Sequence, residues 1–167
     1  MTIRLFACLL SVSVGYAFAP PLPAQNDEEM AKVFNWKFQL VAPDTSFIPM
    51  DGESGWEEPG SEAKVICMAT PAPYTRVVED FAALQSEPGQ VVLDKSYVTL
   101  GGVTGLLLLL EFAPVAGEET ELTYSLLFAR PYGEVSLLLS AQYPKPEHDR
   151  LYAKILASFA TVRQINE

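Results

Sequence analysis

"LGGVTGLLLLLEF" (Leu100–Phe112) places five leucines in a row near the middle of a 167-residue chain. A bilayer helix needs about twenty consecutive apolar residues. Here the apolar stretch begins at Val103, is interrupted by Thr104 and Gly105, and stops at Glu111. Gly101-Gly102 just before it is a two-residue hairpin signal. The segment therefore reads as a strand. Its unbroken apolarity means that both faces are covered, as in a central strand lying under helices. "VSLLLSA" (135–141) shows a diluted form of the same pattern.

Working outward, the flanking segments fall into strands and two helices. "FNWKFQLVAP" (34–43) alternates apolar and polar residues and ends at a proline, so it reads as a first strand. "DTSFIPMDGESGWEEPGSE" (44–62) reads as a long acidic loop with room for a short strand at Ser46–Met50. "AKVICMATP" (63–71) is a strand closed by Pro71. In 73–89 the period changes, and Tyr74, Val77, Val78, Phe81 and Leu84 form one helix face between Pro73 and Pro88-Gly89. Strands are expected over 90–100, 103–112, 119–131 and 132–144. A last helix is expected over 145–162, with Pro146 at its first position and a stripe of His148, Leu151, Tyr152, Ile155, Leu156 and Phe159. Short turns between successive strands favour antiparallel pairing. The expected fold is α+β: an αβα sandwich with a mainly antiparallel, meandering sheet of about six strands and two main helices.

Hydrophobic residues make up 49% of the chain, enough for a substantial core, and the formal net charge is −10. That sign repels nucleic-acid phosphates and anionic lipid, so neither is expected as a partner. Residues 1–19, "MTIRLFACLLSVSVGYAFA", read as a secretory signal: Arg4, an apolar run from Leu5 to Val14, then small residues ending Ala17-Phe18-Ala19. The expected location is therefore exported, periplasmic or secreted, with no membrane span in the mature chain. Leu5-Phe6-Ala7-Cys8 imitates a lipoprotein box but begins too early, and lipidation is not expected. A Pro-rich, acidic leader (20–33), one domain (34–163) and a short tail (164–167) complete the organisation. Loss of the signal removes Cys8 and leaves Cys67 alone, so no internal disulfide can form. Cys67, in an apolar run, reads as a small buried hydrophobe.

The order strand, Trp-bearing loop, strand, helix, four strands, helix resembles the Mog/PsbP-like superfamily, and within it the exported bacterial DcrB-like proteins. Four stretches carry the resemblance: Gly55-Trp56 after the first strand, "VTLGGVTGLLLLLEF" (98–112), "YSLLFARPYGEVSLLLSAQYP" (124–144) and the terminal "YAKILASFATVR" (152–163) with Ser158-Phe159. The resemblance implies binding and assembly roles without catalysis. One branch of the superfamily binds a small GTPase and another is an extrinsic subunit of photosystem II. No catalytic residue travels with the fold, so none is assigned.

Chemical motifs give little. One His and one mature Cys cannot form a Cys/His metal site. His148, between Glu147 and Asp149, reads as a capping or surface residue. "GESG" (52–55) lacks the spacing of a nucleophile elbow, and the lone Asp44-Thr45-Ser46 lacks the second carboxylate of an aspartic protease. The least bland feature is the acid cluster Asp51, Glu53, Glu57, Glu58 and Glu62 around Trp56. Its spacing does not match an EF-hand. The plain reading is a solvated loop with Trp56 folded over the sheet edge. The sharper reading is a partner-binding patch of Trp56, Asp51, Glu53, Glu57 and Glu58, an aromatic anchor with an acidic rim. "GEETE" (117–121) is a second acidic turn. The function expected is a non-enzymatic, cofactor-free exported protein that recognises another envelope protein with a basic surface, in an immunity or chaperone-like role. The alternative is a carrier of a small apolar ligand between helix and sheet.

Overall fold

The computed structural model describes residues 37–51, 54–114 and 121–165. Nine strands and two helices succeed one another: β1 (Phe38–Gln39), β2 (Ile48–Pro49), β3 (Gly55–Glu58), β4 (Ala63–Thr70), α1 (Tyr74–Ala83), β5 (Gln90–Leu100), β6 (Val103–Phe112), β7 (Thr123–Tyr132), β8 (Val135–Pro144), a 3-10 turn (Lys145–Glu147), α2 (His148–Phe159) and β9 (Arg163–Gln164). Seven strands form one sheet in the order β2-β3-β4-β8-β7-β6-β5, and β1 pairs separately with β9. Every pairing is antiparallel. From β5 to β8 the chain meanders, whereas β4 pairs with β8, so α1 carries the chain across to the far edge.

The leucine strand is central and covered on both faces. Leu107 stands opposite Phe128, which stands opposite Leu139, which stands opposite Cys67. This row packs with Leu151, Ile155 and Phe159 of α2 in one core. Leu108 faces the other way with Lys95 and Leu127. Lys95 Nζ reaches the carbonyls of Ala82 (2.7 Å) and Leu84 at the C-terminus of α1, which places α1 over that second face. A cation there suits the unpaired carbonyls of a helix end. Leu107 is 2% exposed and Leu108 0%, so neighbouring side chains pointing in opposite directions are equally buried. The expected two-sided sandwich is the observed one.

The hairpin signal also holds. Gly101 and Gly102 have φ of 57° and 79°, and a Cβ on Gly101 would lie 2.3 Å from the Ala160 carbonyl oxygen. That approach brings the β5–β6 turn against the end of α2.

Several boundaries differ from expectation: α1 ends at Ala83, short of Pro88-Gly89, and β7 begins at Thr123 and not at 119. The first strand is two residues long among the described residues and joins the C-terminal β9, not the main sheet. After Gln39 its groups turn to other partners: the Leu40 carbonyl accepts the Trp56 indole and the Val41 N–H bonds Thr161 Oγ1. The region read as a loop with room for a short strand at Ser46–Met50 contains β2 there and a further strand, β3, and the main sheet has seven strands. Its sequence is glycine- and acid-rich, yet glycine is what the pairing requires. A Cβ on Gly55 would lie 2.4 Å from the Val65 carbonyl oxygen. The last helix starts with a 3-10 turn and ends at Phe159, followed by β9. The signal, the leader and the tail beyond residue 165 lie outside the described residues.

Candidate functional site

The expected patch is divided by the alternation of β3. Trp56 pairs with Val65 and turns toward the core under α2, donating its indole N–H to the Leu40 carbonyl at 2.9 Å. Glu58, two residues on, points the same way and is buried. Glu57 points to the other face, half-buried, between Ile48 and Lys64. Asp51 is exposed just beyond β2, and Glu53 lies outside the described residues. The edge of the sheet thus presents Ile48, 47% exposed, with Glu57 beside it and Asp51 at its end.

Glu58 is the centre of an ion-pair network that binds this edge to α2. Arg150, on the first turn of α2, meets its carboxylate with both terminal nitrogens, Nη1 to Oε1 at 2.9 Å, and uses Nε for Glu147. Ser46 and Ser61 hydroxyls also reach Glu58. One turn along α2, Lys154 Nζ bonds Asp44 Oδ2 at 2.7 Å, and Asp44 accepts the Ser46 backbone N–H at 2.9 Å. The Arg150 hydrogen bonds hold the Glu58 carboxyl down to about 2, against the opposing effect of burial. Those of Lys154, then Ser46, hold Asp44 well below the usual carboxylate range. Both groups are therefore anionic and paired at neutral pH. A fork-to-carboxylate pair fixes orientation as well as charge. The network ties Asp44 and Glu58 to α2.

On the other flank of the same helix start lies a cluster that sequence reasoning missed. Tyr124 and Tyr143 are cross-strand neighbours on β7 and β8. His148 stacks on Tyr143 (5.9 Å, 23°) and meets Tyr124 edge-on at 4.9 Å, with Tyr152 tilted at 4.9 Å behind it. Tyr143 Oη is 3.1 Å from His148 Nδ1. Burial, then the neighbouring tyrosines 152 and 124, pushes the Tyr143 phenol well up. Lys145 bonds Glu111 at 2.7 Å and lies 5.7 Å from the Tyr124 ring centre. An open groove of about 610 Å³ runs here, lined by Glu121, Leu122, Tyr124, Lys145, Pro146, His148 and Asp149. The one available signal was the i, i+4 spacing of His148 and Tyr152; the two strand tyrosines join only through register.

Classes of chemistry can be narrowed. Cys67 is buried, and desolvation pushes its thiol up to about 12, so it is a core hydrophobe and not a thiolate nucleophile. Among the described residues no three His, Cys, Asp or Glu converge as a metal site, and no helix is long and apolar enough to cross a membrane.

No protein-family model and no curated protein matches the chain. Solved structures do. A Bacteroides thetaiotaomicron protein aligns over 78% of this chain and 46% of its own length, with 13% identity and a TM-score of 0.51. The chain thus spans about half of that protein. Also similar are LpqN of Mycobacterium tuberculosis, at 12% identity and a TM-score of 0.49, and cyanobacterial PsbP from Synechocystis, at 10% identity and a TM-score of 0.42. LpqN is aligned over 87% of this chain and 100% of its own, as is PsbP. A Mog1 mutant is similar at 10% identity and a TM-score of 0.43, over 76% of this chain and 95% of its own. The Mog and PsbP folds named from the sequence are thus among the similar structures. At these identities the likeness concerns fold alone.

Proposed function

We propose that the chain is an exported, non-catalytic binding or assembly protein that recognises a basic face of another envelope protein. The contact surface is the β2–β3 edge and its loop: Ile48, Asp51, Glu53 and Glu57, with Trp56 behind them. The observation that carries this reading is the Glu58–Arg150 attachment, which holds an acidic edge with an exposed apolar residue rigidly on α2. Rigid presentation lowers the ordering cost of association. Negative charge around an apolar contact steers a cationic partner. Glu58 serves from inside the fold, and Trp56 stiffens the edge through its bond to Leu40.

The test is capture from the chain's own envelope fraction by the tagged mature protein, followed by binding kinetics with whatever basic protein is recovered. Asp51→Asn/Glu53→Gln/Glu57→Gln together should slow association and flatten its salt dependence without changing the melting temperature. Unchanged kinetics would place the contact elsewhere. The carrier reading has less support, because the groove beside His148 is open and has a charged rim, unlike an enclosed apolar pocket.

A further inference from the structure

The seven-stranded sheet ends at β2 on one side and at β5 on the other. Strand β5 is eleven residues long, and among the described strands it pairs with β6 alone. Its first half is closed off. The Gln90 N–H donates to the Glu87 carbonyl and the Val92 N–H to Ser86 Oγ, each at 2.9 Å, and the ladder is irregular between Val92 and Asp94. A capped, bulged edge is a poor template for another strand. From Asp94 to Leu100 the register with β6 is regular. The Gly101-Gly102 turn has two positive φ values and closes on Leu100 and Val103, a hydrogen-bonded pair in a two-residue hairpin. Bonded and non-bonded pairs alternate from there. Val98 and Ser96 therefore bond β6, while Lys95, Tyr97 and Thr99 turn their N–H and C=O groups outward. Among the described residues none bonds those outward groups. The Lys95 ammonium does not guard them, because it is drawn onto the carbonyls at the end of α1, Ala82 at 2.7 Å. Tyr97 is 64% exposed, more than any other large hydrophobic side chain described.

We propose that this stretch pairs with a second copy of the chain. The two β5 strands meet antiparallel about a two-fold axis at Tyr97, joining two seven-stranded sheets into one. Charge selects the occupant. Two chains of net charge −10 repel, so they meet where the local charge is small. Asp94 and Lys95 are the charged residues of β5, and they cancel. The opposite edge carries Asp51, Glu57 and Glu58 and would repel its own copy. A strand from a basic protein has no electrostatic reason to prefer β5 to that acidic edge. Register agrees with the choice. Centring on Tyr97 sets it opposite its own counterpart, with Lys95 opposite Thr99 and Asp94 opposite Leu100. The outward backbone groups then face one another, no like charges stand opposite, and an aromatic pair occupies the centre. The contact is one short strand wide, so the dimer is a weak one.

Sedimentation of the full mature chain over a dilution series up to about 1 mM, the weak end of the affinity scale, tests this. We expect a dimer that grows with concentration and tightens with added salt, which screens the net repulsion. A basic partner bound through charge would respond to salt with the opposite sign. The amides of Lys95, Tyr97 and Thr99 should exchange more slowly in the concentrated sample. Tyr97→Lys and Tyr97→Glu each set like charges across the axis and remove the aromatic pair, and each should weaken dimerisation about tenfold. Both should melt as the wild type does, because the side chain is exposed. Mixing the two variants should restore association, since opposite charges then face each other. A wild type that stays monomeric throughout overturns the proposal. So does a dimer indifferent to both substitutions, or a mixture that associates no better than its components.

Discussion

Strands β6 and β3 both lay one face under α2, and they are held there by different forces. In β6 the contact is apolar: Leu107 belongs to the core of Phe128, Leu139, Ile155 and Phe159. In β3 the indole of Trp56 packs at the margin, while Glu58 is tied to Arg150 and two serine hydroxyls. Burial is indifferent to pH and nearly so to salt, whereas a charged attachment depends on both. The centre of the sheet therefore sets global stability, and the β2–β3 edge has a separate local stability. Such a division would let the edge proposed as the contact surface change without loosening the core.

The largest effect should come from breaking β6. Leu107→Asp and Leu108→Asp each bury an unpaired carboxylate, at a cost of several kcal/mol, comparable with a domain's total of about 5–15 kcal/mol. Both variants should be unfolded or nearly so in thermal and denaturant melts. A wild-type melt for either would show that one face of β6 is open to solvent.

An intermediate effect belongs to the clamp. Arg150→Met leaves Glu58 buried without its cation, and because the Arg150 side chain is 39% exposed we expect a cost of about 2 kcal/mol, at the lower end for a broken pair. The pH profile sharpens the contrast. Folding lowers the Glu58 pKa from 4.5 to about 2, so its contribution is complete above 4.5 and disappears as pH falls toward 2. Asp44, lowered by Lys154 and Ser46, acts with the same sign. Melting temperature against pH should therefore fall more steeply below 4.5 in the wild type than in Arg150→Met. Parallel curves would remove Glu58 from the acid response.

The smallest effect should come from Tyr143→Phe, which removes the contact between Oη and His148 Nδ1 and leaves the ring packing intact. The expected loss is about 1 kcal/mol, read from a denaturant midpoint. A larger loss would show that the aromatic cluster depends on that one bond for its arrangement.

The same contrast explains which parts were legible in the sequence. The β6 strand spans the residues read for it, Val103–Phe112, because its apolar run and Gly-Gly turn are local signals. The periodicity of Val77 and Phe81 likewise located α1, and these are its buried residues. β3 was hidden because acids and glycine dominate its composition. Its strand character comes from pairing with β4, and Glu58 becomes an internal residue only by meeting Arg150, 92 positions away. The Tyr124–Tyr143–His148 cluster was hidden for the same reason: it forms through cross-strand register. Local composition showed the core, and long-range pairing set the edge and its charges.

The most direct test of this division is residue-resolved hydrogen exchange at neutral pH on wild type and Arg150→Met. We expect the amides of Trp56, Glu57 and Glu58 to lose protection in the variant, by more than the amides of Leu107 to Leu110 lose. Equal losses in both strands, or unchanged protection at Trp56–Glu58, would contradict a charge-held edge on an independently stable core.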